Sequence, residues 1–138
     1  MRRLAILLLT LGLAFPAFAE RLQRFGDLEV HYNVFNSSFL QPDIAKASNL
    51  VRSKTQGVVN VVVMRAGKSV PAAVSGDVKN LLGQRTALNF QDVKEGDALY
   101  HMAQFKMTER EVLTFNLKIQ AGGATHDLNF DQEVFPDQ

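Results

Sequence analysis

Two short polar runs carry the side chains best suited to bind or transform a ligand. Asn36, Ser37 and Ser38 supply an amide and two hydroxyls, while Arg52, Ser53 and Lys54 supply two cations and a third hydroxyl. They flank one short stretch of chain, so a compact domain can bring them together. An anionic group or a peptide carboxylate would fit such a site, because guanidinium and backbone N–H groups are its common hydrogen-bonding partners. His31 and Phe39, on either side of the first run, complete the candidate binding set. The structural alternative is that Asn36 and Ser37 make an Asx-type turn and cap, with Arg52 and Lys54 merely solvated.

A second constellation is His31, His101 and His126 with Met64, Met102 and Met107. Imidazole and thioether suit Cu(I), so a copper-binding protein is one alternative function. The spacing does not favour it. His101 and Met102 are adjacent, which on a strand sends them to opposite faces. His101 and His126 both fall on inward positions of their strands and would approach one another only if those strands pair. A serine hydrolase is the other alternative, with Ser37 or Ser38 as nucleophile, His31 as base, and Asp27 or Asp43 as orienter. No Gly-x-Ser-x-Gly elbow, His-Glu-x-x-His pair or phosphate loop accompanies them. The expectation is therefore a protein that is not an enzyme and needs no cofactor.

The elements that must position these residues read as strands. Leu28, Val30, Tyr32 and Val34 alternate with Glu29, His31 and Asn33, the period of a strand with one buried face. Asn36-Ser37-Ser38 ends it, and Phe39 and Leu40 are expected to return to the core. Pro42 to Ala47 reads as a short helix, with proline in the first turn and Asp43 behind it. After the polar loop from Arg52 to Gly57, Val58 to Met64 is apolar on both faces, as in an interior strand.

Residues 69–81 suggest an edge strand, because Pro71 cannot donate to a central ladder, with a bulge at Gly76. A helix over 77–82 is the less favoured reading, since Gly76 and Gly83 bracket too few residues. Thr86 to Val93, Ala98 to Lys106, Val112 to Gln120 and Thr125 to Glu133 complete the pattern, with Ala121-Gly122-Gly123-Ala124 as a hairpin loop. Residues 20–26 read as a lead-in. Together these give about seven strands at short spacing with one short helix between the first two, which indicates an all-β antiparallel sandwich.

The first 19 residues have the three parts of a cleavable secretory signal: Met1-Arg2-Arg3, an apolar run from Leu4 to Phe15, and a small-x-small ending at Ala17 and Ala19. Cleavage after Ala19 would leave one domain, residues 20–138, with no membrane span. It removes Arg2 and Arg3 and no acid, so the formal charge moves from +1 to −1. A nearly neutral chain lacks the clustered excess of Lys and Arg that nucleic acid requires. With no Cys, thiol chemistry and Cys-ligated zinc are excluded, and the core must suffice without disulfides.

The run Val30-His31-Tyr32-Asn33-Val34-Phe35-Asn36-Ser37-Ser38-Phe39-Leu40, followed by Pro42, Ala45, Val51-Arg52-Ser53-Lys54 and Val59-Asn60-Val61, resembles a family of small exported bacterial proteins that carries only a domain-of-unknown-function label. The resemblance spans the chain beyond the leader. It departs at Ser48-Asn49, where a more apolar pair is expected to pack the helix. It implies an immunoglobulin-like β-sandwich in the periplasm without an assigned activity. The expected function is that of a non-enzymatic binding or interaction module, with a protein or another cell-envelope component as partner.

Overall fold

The computed structural model describes residues 21–137. The leader and its cleavage point lie outside the described residues. Ten strands follow in order: β1 Arg21–Phe25, β2 Leu28–Asn36, β3 Gln56–Arg65, β4 Lys68–Ser69, β5 Ala73–Lys79, β6 Arg85–Leu88, β7 Gln91–Glu95, β8 Ala98–Lys106, β9 Glu111–Ala121 and β10 Ala124–Val134. One helix, α1 (Pro42–Ala47), and a 3-10 turn (Ser37–Phe39) separate β2 from β3. The first sheet runs β1-β2-β3-β8-β7, with β4 against the end of β3, and the second runs β10-β9-β5-β6. Every pairing is antiparallel. This is the all-β sandwich that the period-two patterning indicated.

Side chains alternate as the pleat demands. Val30 and Tyr32 of β2, Val59, Val61 and Val63 of β3, and Phe105 of β8 meet Phe115, Leu117 and Ile119 of β9 and Phe130 of β10 in one core between the sheets. The opposite face of the first sheet is covered too. Val58, Val93 and Met102 pack there with Leu40, Ala45 and Leu50 from α1 and its flanks. Strand β3 thus has apolar residues buried on both faces, as expected of an interior strand.

Several details differ from the sequence reading. The lead-in is largely strand: Arg21–Phe25 pairs with Leu28–Tyr32. It escaped detection because β1 buries neither face fully and so shows no hydrophobic alternation. With β1 counted, the helix lies between the second and third strands, and there are ten strands among the described residues rather than about seven. The expected strand over Thr86 to Val93 is two strands in different sheets. Leu88 faces the inter-sheet core and Val93 the outer cluster, so the chain crosses between sheets at Asn89-Phe90.

Strand β5 is interior, between β9 and β6, and Pro71 precedes it in a connection. Its pairing with β9 runs through Gly76 without interruption, so Gly76 is not a bulge. Phe39 does not return to the core; it is exposed, and Leu40 alone is buried. Ser48-Asn49 caps the helix instead of packing it. The Ser48 hydroxyl donates to the Ile44 carbonyl at 2.6 Å, and Asn49 takes the left-handed conformation (φ 59°) that ends helices.

The two ends of the sandwich are unlike. At one end lie tight turns after β1, β3, β7 and β9, where Gly26, Gly67, Gly96 and Gly122 have positive φ. The longer connections gather at the other end: β2 to β3, β5 to β6, β8 to β9, and the tail after β10. Both candidate polar runs are at this second end.

Candidate functional site

Antiparallel pairing of Asn36 with Gly57 places the end of β2 beside the start of β3. The two polar runs therefore do meet, on either side of α1. Their chemistry is directed mainly at each other and at the C-terminal tail. Ser37 is wholly buried; its Oγ accepts from the Ser53 N–H at 2.8 Å and donates to the Ser53 carbonyl at 3.0 Å. The Arg52 guanidinium donates to the Ser38 carbonyl at 3.1 Å. Ser53 Oγ accepts from the Thr55 N–H at 3.2 Å. These bonds close the loop that carries α1 across the outer face.

Asn36 and Ser38 hold the tail. Asn36 Nδ2 donates to the Phe135 carbonyl at 2.8 Å and to Asp137 Oδ1 at 2.6 Å, and Ser38 Oγ donates to Asp137 Oδ2. The Asp137 N–H donates to the Lys54 carbonyl at 2.9 Å. Residues 135–137 are thus strapped across the mouth of the sandwich. Asp137 and Phe135 were missed by the sequence reading, which gave the chain beyond Glu133 no role. A carboxylate beyond the last strand has no local signature, although Pro136 marks where pairing must stop.

Hydrogen bonds from Ser38, then Asn36, lower the Asp137 pKa below its ordinary 3.8; the positive charge of Lys54 helps, and partial burial opposes. A carboxylate held lower in the folded than in the unfolded chain adds stability above its unfolded pKa, and loses it as pH falls through the folded value. The tail is therefore expected to stay fastened at pH 5 and to loosen only below pH 3.8. Carbon-13 NMR of the Asp137 carboxyl should show this low titration, and Ser38→Ala should move it back up.

Beside this clasp is an open cleft of about 510 Å³, lined by Val34, Phe35, Asn36 and Phe39 on one side and by Gln132–Asp137 on the other. Phe39 is 61% exposed and Phe135 50%. The Arg110 guanidinium lies 4.9 Å from the Phe135 ring centroid and makes a 3.0 Å ion pair with Glu133.

The remaining sequence candidates are placed elsewhere. His31 lies mid-strand on β2, 3.9 Å from Glu29, and at ~3.3 Å per residue it is about 20 Å along the chain from Ser37. Asp27 pairs with Arg65 at the far end, and with His31 a strand's length from Ser37 the serine and histidine are not assembled, whether Asp27 or Asp43 is taken as the third member. Strands β8 and β10 belong to different sheets, so His101 and His126 do not pair. His126 stacks on Phe25 at 4.7 Å, and Met102 faces the outer cluster. His101 is 1% exposed, and its Nδ1 is 2.7 Å from Asp92 Oδ1. A carboxylate can only accept, so the proton sits on Nδ1 and Nε2 points into the interior without a hydrogen-bond partner. Among the described residues no group of three or more His, Asp or Glu converges as metal ligands would. Nor is any described helix long and apolar enough to cross a membrane.

Residues 22–137 match the family profile described as Domain of unknown function (DUF4426). A search of curated proteins found no match. Among solved structures, a DUF4426 family protein from Pseudomonas aeruginosa PAO1 is 54% identical, with a TM-score of 0.83, covering 86% of this chain and 97% of that one. Two structures of FetP from uropathogenic Escherichia coli strain F11 are similar in fold. The first, as isolated after recombinant expression in the periplasm of E. coli BL21(DE3), is 12% identical with a TM-score of 0.64, covering 87% of this chain and 96% of that one. The second, a copper-bound variant, is 14% identical with a TM-score of 0.65, covering 86% and 96%.

Proposed function

This chain belongs to the DUF4426 family, whose function is unknown, and from that premise we propose that it is a non-enzymatic binding module of the periplasm, receiving an extended apolar segment of a protein partner. The cleft between the end of β2 and the tail carries this reading. Its two aromatic walls stand half or more in solvent. Such rings supply large contact area at low entropic cost and recur as binding hot spots.

The backbone beside the cleft is also suited to an extended ligand. The β1 register stops at Tyr32, and β10 pairs only with β9 among the described strands. Asn33–Asn36 and the outer edge of β10 therefore present strand edges to which a peptide can add. Export is supported by the basic, apolar and small-residue pattern of residues 1–19. Copper binding, suggested by the fold of FetP, has less to rest on, because His101, His126 and Met102 lie apart.

Selection of displayed peptides against the chain from residue 20 tests the proposal. Peptides with alternating apolar residues are expected, and Phe39→Asp with Phe135→Asp should weaken them about thirtyfold, the ~2 kcal/mol of a hot spot. Selected peptides that bind the double variant equally well would refute the cleft.

A further inference from the structure

Of the six large apolar side chains left exposed among the described residues, five lie at the end bearing the long connections: Phe39, Val51, Leu81, Leu82 and Phe135. Leu81 and Leu82 are the most exposed, at 78% and 84%, and they form the tip of the β5–β6 loop. This tip is not loose. Asn80 Oδ1 accepts from the N–H groups of Leu82 and Gln84 at 3.0 and 2.9 Å, and Asn80 Nδ2 donates to Gln84 Oε1 at 2.7 Å. The Asn80 N–H donates to the Gln84 carbonyl at 3.0 Å, and Gly83 turns the chain at φ 83°. Two leucines are held out to water on a fixed loop, and a fixed loop loses little entropy when it docks.

We infer that this loop is a docking knob, and that its receptor is the Phe39–Phe135 cleft of a second copy of the chain. The inference rests on the reading of that cleft as a binding surface and names an occupant for it. Charge and position favour a second copy. The knob is bordered by Lys79 and Arg85 with no acid between them, whereas the cleft carries Glu133 and Asp137. Arg85 is only 3.4 Å from Asp77, and the Glu133 ion pair with Arg110 is exposed, so both can be shared with a partner.

Strand order β10-β9-β5-β6 sets the knob and the cleft at opposite lateral edges of the same end, about 14 Å apart at ~4.8 Å per strand. A two-fold axis lying across that end exchanges the edges. Each knob then faces the other copy's cleft, and the contact closes as a dimer instead of growing into a filament.

Sedimentation velocity on the chain from residue 20 is the test. A monomer–dimer equilibrium is expected, and Leu81→Ser with Leu82→Ser, both at exposed positions, should weaken it at least a hundredfold while leaving the unfolding midpoint unchanged at a protein concentration where both chains are monomeric. Lys79→Glu alone and Glu133→Lys alone should each weaken the dimer, and the two together in one chain should restore it. A wild type that stays monomeric at millimolar protein, or a dimer indifferent to the leucines, overturns the inference. If that monomer still binds the selected peptides through Phe39 and Phe135, the cleft reading stands and only its occupant is wrong. If the dimer forms through the leucines but no peptide binds the open cleft of the monomeric Leu81→Ser, Leu82→Ser variant, the self-contact stands and the partner reading falls.

Discussion

Replacing Phe115 by alanine is expected to cost about 3–5 kcal/mol, the range for emptying a fully buried aromatic site. Phe115 has no solvent exposure and sits where the two sheets meet. Its ring packs edge-on to Phe105 at 5.2 Å and stacks on Phe130 at 5.0 Å, and Phe130 in turn meets Tyr32 at 4.5 Å. One substitution thus breaks a chain of aromatic contacts reaching from β8 through β9 and β10 to β2. Against a total stability of about 5–15 kcal/mol for a domain of this size, the loss approaches unfolding. Urea titration should show a large fall in midpoint with an unchanged slope, and Phe115→Leu should recover much of it. A Phe115→Ala midpoint close to wild type would mean that the inter-sheet core is not the source of stability.

Gly76→Ala is expected to cost about 3 kcal/mol, although alanine adds a single methyl group. The cause is backbone and space together. Gly76 has φ 152°, a region open essentially to glycine alone. A Cβ there would overlap the Asn116 carbonyl oxygen and press on Leu117 across the β5–β9 ladder. Neither neighbour can yield, because both are main chain of the central strand β9, which is bonded on its other side to β10. Gly96→Ala is the control. It also has a positive φ (59°), but its added Cβ meets nothing within 4 Å, so it should cost only the conformational part. The thermal midpoint should fall further for Gly76→Ala, from crowding and from its more restricted φ together; equal shifts would show that neither adds to the cost of an ordinary left-handed position.

Most strands that were plain in the sequence have one wet face and one dry face; β3, dry on both, was plain from its unbroken apolar run. In β2, β9 and β10 the alternation of Leu28, Val30 and Tyr32, or of Leu113, Phe115, Leu117 and Ile119, marks both the element and its inward side. Where neither pattern holds, the signal fails. Strand β1 has no buried face, and Leu88 and Val93 are buried against different layers, so their spacing mimics one continuous strand. Interior placement of β5 was hidden by Pro71, whose restriction ends before the paired residues begin.

The candidate site was legible in part. Polarity singled out Asn36, Ser38 and Arg52, and pairing of β2 with β3 explains why they meet. The contacts of Asn36 and Ser38 with Phe135 and Asp137, about a hundred positions later in the chain, depend on strand order, which single residues do not encode. Phe39 illustrates the converse. Its type suggested a core position, and its exposure became informative only once the aromatic wall opposite it was known.

Because β1 begins opposite Tyr32 and the tail ends on Asn36 and Ser38, both extremities of the described polypeptide emerge beside the cleft. An affinity handle or fluorophore fused at either extremity would screen that surface. The reverse turn at Gly96, on the far side of the molecule, is the sounder place for a reporter, and for new termini in a circular permutant that joins the old ones.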